Sequence, residues 1–210
     1  MGSIMPAFGR RPKEAAHIGN MLAGYGELEY DLAQCLSSVL GDKHAGFRAF
    51  FRMKGESSRI EVTDALIKGP FHEVGLGDGY NEALGAIRWC KSIRNQYAHC
   101  HWLDFVQEGL FFTDLDQSVK KNTGVPQLKF FHVDAPLLAL QEEYFHYTDQ
   151  WLAFLYSEYD LKVGAIRSHI WTAPKVIPQP NPYNPPEEHP CPLGQTTDEP
   201  PQPAGPPATA

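Results

Sequence analysis

An arginine, an asparagine and a histidine in the middle of the chain form the set of side chains best suited to chemistry. Arg94, Asn95 and His99 stand in the segment 94–99, whose sequence is RNQYAH. A guanidinium binds phosphate oxygens and stabilises negative charge that develops on them. An imidazole takes up and releases protons near neutral pH. Together, these residue types are candidates for anion binding and proton transfer.

The segment is predicted to end a helix that begins near Asp78 or Asn81 and runs through His99. At about 100° per residue, one face of this helix is apolar and is predicted to be buried. The opposite face is polar and is formed by Arg88, Ser92, Asn95 and His99, with Lys91 nearby. A polar face of this kind is ordinarily solvated.

Two features distinguish this polar face from an ordinary solvated one. Asn95 and His99 are four residues apart and are therefore neighbours on the helix surface. The amide can then hydrogen-bond one imidazole nitrogen and fix the tautomer of the ring. His99 also lies in the last turn, where the negative end of the helix dipole favours the imidazolium form.

Arg94 is predicted to lie at the boundary of the core rather than on the polar face. A half-buried guanidinium needs a carboxylate or a phosphate as its partner. Glu27 and Glu29 of the first helix are the candidate structural partners. Alternatively, the long side chain reaches the His99 edge and holds a phosphate.

Hydrophobic periodicity predicts a mainly α fold, a four-helix bundle with a small β-hairpin or meander inserted between helices 3 and 4. The helices are predicted over about 13–40, 44–68, 78–99 and 136–161. The strands are predicted over 102–106, 109–113 and 128–133, with a turn at 122–124. The first helix is expected to end at Gly41, and the second at Gly69-Pro70.

The domain organisation follows from the composition. Residues 1–12 are predicted to be a flexible N-terminus, and 13–171 the helical domain, with the β insertion at about 102–133. Residues 172–210 are rich in proline and are predicted to be a disordered tail. Within the tail, the segment 181–186 either is solvated or docks on a partner in polyproline form.

The motif and its position resemble those of the HEPN superfamily (higher eukaryotes and prokaryotes nucleotide-binding). Arg94 and His99 match its R-x4-H motif, in the form R-N-x-x-A-H, at the end of the third helix of a four-helix domain. The resemblance covers roughly residues 13–162; the β insertion and the tail depart from it. It implies a metal-independent endoribonuclease that acts as a homodimer, with the motif helices of two subunits forming one cleft.

The resemblance also implies a role for each residue of the motif. Arg94 would bind the scissile phosphate, His99 would exchange protons with the ribose 2′-OH or the leaving oxygen, and Asn95 would orient either. The products would be a 2′,3′-cyclic phosphate and a 5′-OH, and no cofactor is expected. Further substrate contacts are predicted from Arg52, Arg88, Lys91 and His101.

The same resemblance implies partners and an alternative function. RNA and a second copy of the chain are the expected partners, together with a protein antitoxin or regulator if the protein belongs to a toxin–antitoxin pair or a phage defence system. Other members of the superfamily have lost catalysis. The alternative is therefore a non-catalytic module that binds RNA, a nucleotide or a protein partner. A third hypothesis is a helical interaction protein in which the motif arose by chance.

The overall charge argues against RNA binding, because the formal net charge is −7. The tail holds part of the excess, with four carboxylates and one lysine after Thr172. A local basic groove, doubled in a dimer, is compatible with an acidic body, but RNA affinity would be modest and sensitive to salt.

Other functional classes lack their signatures. No apolar run of membrane-spanning length and no secretory signal is present, and the four cysteines form no C-x-x-C; a cytoplasmic protein with reduced thiols is expected. Cys90, His99, Cys100 and His101 lack zinc-site spacing, so no metal is predicted. Asp114 and Asp116 are interpreted as a solvated turn. One predicted helical stripe contains Arg48, Arg52, Arg59 and Glu56. This stripe is either a path for phosphates or a salt-bridged surface.

Overall fold

The computed structural model describes residues 5–103, 105, 109–115 and 128–185. Within these residues, six helices and one three-stranded antiparallel sheet are present. The helices are α1 (Pro6–Arg10), α2 (Pro12–Leu40), α3 (Lys43–Arg52), α4 (Glu56–Glu73), α5 (Gly77–His99) and α6 (Ala135–Lys162). The strands are β1 (His101–Leu103), β2 (Leu110–Thr113) and β3 (Phe131–Val133). The prediction of a mainly helical chain with a small inserted β element is confirmed.

The two longest helices, α2 and α6, pack along each other and form the centre of the molecule, and α5 packs against both. Their buried sides are apolar at helical spacing, which removes a continuous stripe of side chains from water. The core includes Leu28, Leu32 and Leu36 of α2, Ile87 of α5, and Leu152 and Leu155 of α6. This packing holds α5, which carries the segment 94–99, in a fixed position.

The second predicted helix, over 44–68, is wrong, because the structure has two helices there. The helical conformation is interrupted before α4 at Gly55, whose φ of 84° lies in the left-handed region that favours glycine. Helix α3 begins at a cap in which Asp42 accepts a hydrogen bond from the Ala45 backbone N–H at 3.0 Å. The break directs the start of α4 towards α5.

The predicted end of this helix at Gly69-Pro70 is also wrong, since α4 continues to Glu73. The last turn carries Phe71, which is fully buried and packs against Tyr80 and Tyr159 at centroid distances of 5.2 and 5.0 Å. Burial of this ring favours the extra turn, and Pro70 removes a single backbone donor.

The prediction of a flexible N-terminus is wrong over Pro6–Arg10, because these residues form α1. Ala7 is buried, and the Phe8 ring lies 5.3 Å from that of Trp102 in β1. Helix α1 therefore covers the start of the sheet. Trp102 also packs on Tyr97 of α5, at 5.5 Å, as a core side chain.

The prediction of a disordered tail does not hold for the segment 181–184. The Gln141 side-chain amide donates to the Asn181 carbonyl at 2.7 Å, and the Asn184 N–H donates to the His132 carbonyl at 2.9 Å. The Tyr183 ring lies 4.6 Å from that of Phe131. The segment is thus attached to β3 and α6. The part of the predicted disordered tail from 186 on lies outside the described residues.

The sheet is a meander in the order β1, β2, β3, as predicted. Trp102 pairs with Phe112, which pairs in turn with Phe131. The predicted turn at 122–124 lies outside the described residues. None of the helices described is long and apolar enough to cross a membrane.

Candidate functional site

A cleft of about 550 Å³ opens where α5 ends and the sheet begins. Helix α5, the sheet and the docked segment 181–184 all contribute to its walls. The lining residues are Ser92, Asn95, Gln96, His99, Cys100, Phe112, Asp114, Phe131 and Tyr183. The structure therefore brings two of the three predicted catalytic residues, Asn95 and His99, to one cavity.

His99 is the last residue of α5 and has an exposed side chain. The next residue, Cys100, is extended and turns the chain directly into β1. The imidazole makes no hydrogen bond within the described residues, so both of its ring nitrogens are accessible to a ligand. A neutral or charged imidazole at this position is suited to proton transfer.

Arg94 does not line the cleft, but it touches a residue that does. Its Nη1 donates to the Asn95 Oδ1 at 2.9 Å and forms an ion pair with the Glu56 Oε1 at 2.7 Å. Its Cζ lies 5.7 Å from the centroid of the Tyr25 ring. The Arg94 side chain is 30% exposed.

The predicted structural partners of Arg94, Glu27 and Glu29, are wrong. Both oxygens of Glu29 accept from Arg59 at 2.9 Å, and Arg94 pairs with Glu56 instead. The reason is the break before α4, which directs Glu56, in the first turn of that helix, against α5.

The expected hydrogen bond between Asn95 and His99 is not formed among the described residues. The Asn95 oxygen accepts from Arg94, and its amide nitrogen remains able to donate. Asn95 therefore links the guanidinium to the cleft and orients Arg94 rather than the His99 ring.

Tyr25 forms the buried floor beneath Arg94. Its side chain is 2% exposed, and its hydroxyl has no hydrogen-bond partner among the described residues. Burial raises the pKa of this phenol far above its ordinary value, and the charges of Glu29 and Glu56 raise it further. The phenol is therefore neutral, and it supplies an aromatic face to the guanidinium.

The four residues predicted to add substrate contacts lie outside the cleft. Arg88 forms an ion pair with Asp64 at 3.1 Å, and the Lys91 ammonium donates to the Ser57 hydroxyl at 2.7 Å. Arg52 is exposed at the end of α3, and His101 is exposed in β1.

Several lining residues were not predicted from the sequence. Gln96 follows Asn95, and its side-chain amide donates to the Pro182 carbonyl at 3.1 Å. Phe131 and Tyr183 reach the cleft only because the sheet and the segment 181–184 dock beside α5. Asp114, interpreted from the sequence as part of a solvated turn, also lines the cleft. The position of Gln96, three residues before His99 on a helix, was the one usable signal.

The cysteines near the motif are poor nucleophiles and poor metal ligands. Burial raises the pKa of the Cys100 thiol to about 12, and burial raises that of Cys90 to about 12 as well. A neutral thiol neither attacks nor binds a metal. Cys90 is fully buried beside Thr148, away from the cleft. Within the part of the chain described, no group of metal-binding side chains is found.

The arrangement combines an exposed imidazole and an amide in a cleft with aromatic walls, and a guanidinium outside the cleft that donates to the amide oxygen. Phe131 and Tyr183 are the partly exposed rings on which a base can stack, whereas Phe112 is only 1% exposed, and the three polar groups are suited to a phosphate. Comparisons with family models, with curated proteins and with solved structures gave no significant match to this chain.

Proposed function

We propose that this chain is a HEPN-like endoribonuclease that cleaves RNA without a metal ion and acts as a homodimer. The observation that carries the proposal is the shared cleft of Asn95 and His99, together with the hydrogen bond from Arg94 to Asn95. This set contains a proton-transfer group, a phosphate-binding group and an amide that connects them.

The proposed reaction is an internal transesterification. The ribose 2′-oxygen attacks the phosphorus while the His99 imidazole takes the 2′-hydroxyl proton. The bond from phosphorus to the 5′-oxygen breaks, and the 5′-oxygen takes a proton from a second imidazole, the His99 of the other subunit. Arg94 stabilises the charge on the non-bridging oxygens. The products are a 2′,3′-cyclic phosphate and a 5′-hydroxyl, and no external oxidant, reductant or metal is needed.

Glu56 is a competitor for the phosphate in this proposal. The ion pair between Arg94 and Glu56 is partly exposed on both sides, at 30% and 23%. Exposed pairs of this kind contribute about 0–1 kcal/mol, so a phosphate can displace the carboxylate at small cost. Arg94 then turns from Glu56 towards the phosphate while Asn95 keeps its position.

The acidic body makes binding weak and dependent on salt. With a formal net charge of −7, the protein as a whole repels a phosphate backbone, so binding depends on local groups. Base stacking on Phe131 and Tyr183, which are partly exposed, would supply affinity that does not depend on charge. The proposal therefore favours unpaired nucleotides, whose bases are free to enter the cleft.

A second candidate function is favoured by the contacts of Arg94. Its guanidinium already has a carboxylate partner, an amide partner and an aromatic face, in Glu56, Asn95 and Tyr25. An arginine satisfied in this way is a structural brace. The cleft would then belong to a non-catalytic HEPN-like module that binds RNA, a nucleotide or a protein partner, with His99 as a hydrogen-bonding group.

Incubation of the purified protein with a mixed RNA pool in EDTA separates the two functions. The variants are His99→Ala and the matched control His146→Ala, whose imidazole is exposed on α6 in a different groove. The nuclease proposal expects cleavage by the wild type and by His146→Ala, and a rate lower by about 10²-fold or more in His99→Ala. RNA that binds all three proteins and stays intact would support the binding module instead.

A further inference from the structure

A second surface combines exposed aromatic rings with cations, away from the residues that line the cleft. We define it as the α3 face. It consists of Tyr30 on α2 and of Lys43, Phe47, Arg48, Phe51 and Arg52 on α3. On α3, the aromatic and basic residues recur every four positions, so they form two adjacent rows along one side of the helix.

The rings of the α3 face form a continuous row. The centroid of Phe47 lies 5.1 Å from that of Tyr30 and 6.1 Å from that of Phe51. Tyr30 is 41% exposed and Phe51 is 47% exposed, while Phe47 is half-buried between them. Large aromatic side chains exposed side by side, rather than singly, mark an interaction surface.

The cations of the α3 face outnumber the carboxylates beside them, although the Asp42 carboxylate at the start of α3 attracts Arg48. From Lys43 to Gly55, the chain has four Lys and Arg residues and no Asp or Glu, in a protein whose net charge is −7. None of the four forms an ion pair within the described residues. The carboxylate of Asp42 caps α3, and that of Glu29 is engaged by Arg59. The α3 face is therefore a local positive patch on an acidic molecule.

The α3 face is held in place by side chains inside the protein. The Arg59 Cζ lies 5.5 Å from the Phe51 centroid and 5.9 Å from that of Phe50, while its Nη1 donates to both oxygens of Glu29. Phe50 is fully buried and anchors α3 to the core. A groove of about 400 Å³ lies beside the rings, lined by Tyr30, Lys43, His44, Phe47 and Arg48.

From these features we infer that the α3 face binds single-stranded RNA, with bases stacked on Tyr30, Phe47 and Phe51 and with phosphates on Lys43, Arg48 and Arg52. Aromatic rings in a row need bases that are free to unstack, which favours a single strand over a duplex. Separate cations along one edge match the spacing of a backbone rather than a single anion.

The position of the α3 face gives it a role beyond the proposed cleavage. Only Met53, Lys54 and Gly55 separate α3 from Glu56, which is the partner of Arg94. The C-terminal end of α3 is therefore close along the chain to the residue that pairs with Arg94. Binding itself requires neither Arg94 nor His99, so the inference goes beyond the proposed nuclease activity.

Fluorescence anisotropy with labelled oligothymidylate and oligouridylate of about 12 nucleotides tests the inference, since such strands span typical single-strand sites. Oligothymidylate lacks the 2′-hydroxyl and cannot be cleaved by the proposed chemistry, so its binding is independent of the nuclease proposal. Oligouridylate is measured in the His99→Ala background. Titrations at several salt concentrations give the number of phosphates contacted, at about 0.7 in log–log slope for each.

Two double variants separate charge from stacking. The variant Arg48→Glu/Arg52→Glu is expected to weaken binding by about tenfold or more and to lower the salt slope, because it removes two phosphate contacts. Its control, Lys68→Glu/Arg167→Glu, makes the same change of charge at exposed positions elsewhere and is expected to change affinity by less than about threefold. The variant Tyr30→Leu/Phe51→Leu keeps apolar bulk and is expected to weaken binding by about fivefold or more, with an unchanged salt slope.

Four outcomes would overturn the inference. Three are equal weakening by the two charge variants, unchanged binding by Tyr30→Leu/Phe51→Leu, and equally tight binding of a duplex of the same length. The fourth is self-association through this face, seen as a dimer in sedimentation that Phe51→Leu dissociates without any oligonucleotide bound. Thermal unfolding of each variant within about 2 °C of the wild type excludes loss of the fold as the cause.

Discussion

At the scale of single residues, the site depends on how the Arg94 guanidinium divides its charge between Glu56 and a phosphate. In the structure, the ion pair to Glu56 and the hydrogen bond to Asn95 use the same nitrogen, Nη1. The guanidinium has further N–H donors for a ligand. Substitution of Glu56 therefore tests whether Arg94 has a structural role or binds a phosphate.

The substitution Glu56→Gln is expected to strengthen RNA binding. Loss of the competing carboxylate frees Arg94 for the phosphate, and the worth of a partly exposed ion pair corresponds to a Kd lower by about two- to fivefold. Glu61→Gln on the exposed side of α4 is the matched control, because it changes the charge equally. Equilibrium binding to the His99→Ala form measures the effect. Weaker binding by Glu56→Gln would mean that Arg94 serves as a brace.

Helical spacing was sufficient to predict that Asn95 and His99 share one surface, because residues four apart are neighbours on any helix. It was not sufficient for the partner of Arg94. That partner depends on the break at Gly55, which directs Glu56 against α5. The aromatic wall was also unpredictable, since Tyr183 enters the cleft from a segment far along the chain.

At the scale of elements, the close contact between α2 and α3 sets the position of the α3 face. A Cβ added at Gly46 would lie 2.2 Å from the Ser37 Oγ and 2.6 Å from the Ser37 Cα. The Ser37 hydroxyl donates to the Ala33 carbonyl at 2.7 Å, and its backbone belongs to α2. A side chain at position 46 could therefore be accommodated only if α3 moved away from α2.

The substitution Gly46→Ala is accordingly expected to lower the free energy of unfolding by about 1–3 kcal/mol, as overpacked cores do. Gly26→Ala is the matched control, because a Cβ there meets nothing within 4 Å and alanine stabilises a helix interior by about 0.5–1 kcal/mol. Urea unfolding followed by circular dichroism gives both values. Equal stability of the two variants would contradict the close packing of α3 on α2.

A pair of carboxylates between α2 and α6 makes stability depend on pH. Burial is the largest cause of a raised pKa at Asp31, and together with the charge and hydrogen bond of Asp149 it moves the pKa from 3.8 to about 7. The folded state thus holds a proton that the unfolded state releases. Stability from this group is complete below 3.8 and is lost as the pH rises towards about 7.

The substitution Asp31→Asn is therefore expected to raise the Tm above pH 7. A gain of about 2–4 °C at about pH 8 is expected after allowance for solvent screening of a half-buried group, with a smaller gain at about pH 5. Differential scanning calorimetry at the two pH values measures it, with Glu61→Gln as the control for net charge. A gain that is equal at both pH values would mean that Asp31 does not hold the proton.

The helices were largely predictable, because apolar residues recur every three or four positions along α2, α5 and α6. The short elements were not. The division into α3 and α4 depends on one backbone angle at Gly55, and the extra turn of α4 depends on where the Phe71 ring finds its partners. Both are consequences of tertiary packing, which periodicity does not describe.

At the scale of the whole molecule, the proposed activity requires two copies of the chain. A single cleft holds one imidazole of the motif, His99, and the proposed reaction uses a base and an acid. Under this proposal, the two motif helices would meet at the exposed surface of the last turn of α5. Ala98, which is exposed beside His99, belongs to that surface.

The chain is expected to be a dimer, and Ala98→Arg is expected to dissociate it, because two like charges would meet across the two-fold axis. Ala65→Arg on the exposed side of α4 is the control and should remain dimeric. Sedimentation equilibrium over a range of protein concentrations gives the masses. A wild-type protein that is monomeric throughout would contradict the composite site and leave each cleft to act alone.

The central claim is that Arg94, Asn95 and His99 direct attack by the ribose 2′-hydroxyl, and the chemical ends of the products test it most directly. We would digest a defined RNA in EDTA and determine the product masses by mass spectrometry. We expect 2′,3′-cyclic phosphate and 5′-hydroxyl ends from the wild type and intact RNA with His99→Ala. Products with 3′-hydroxyl and 5′-phosphate ends, or cleavage that persists in His99→Ala, would contradict it.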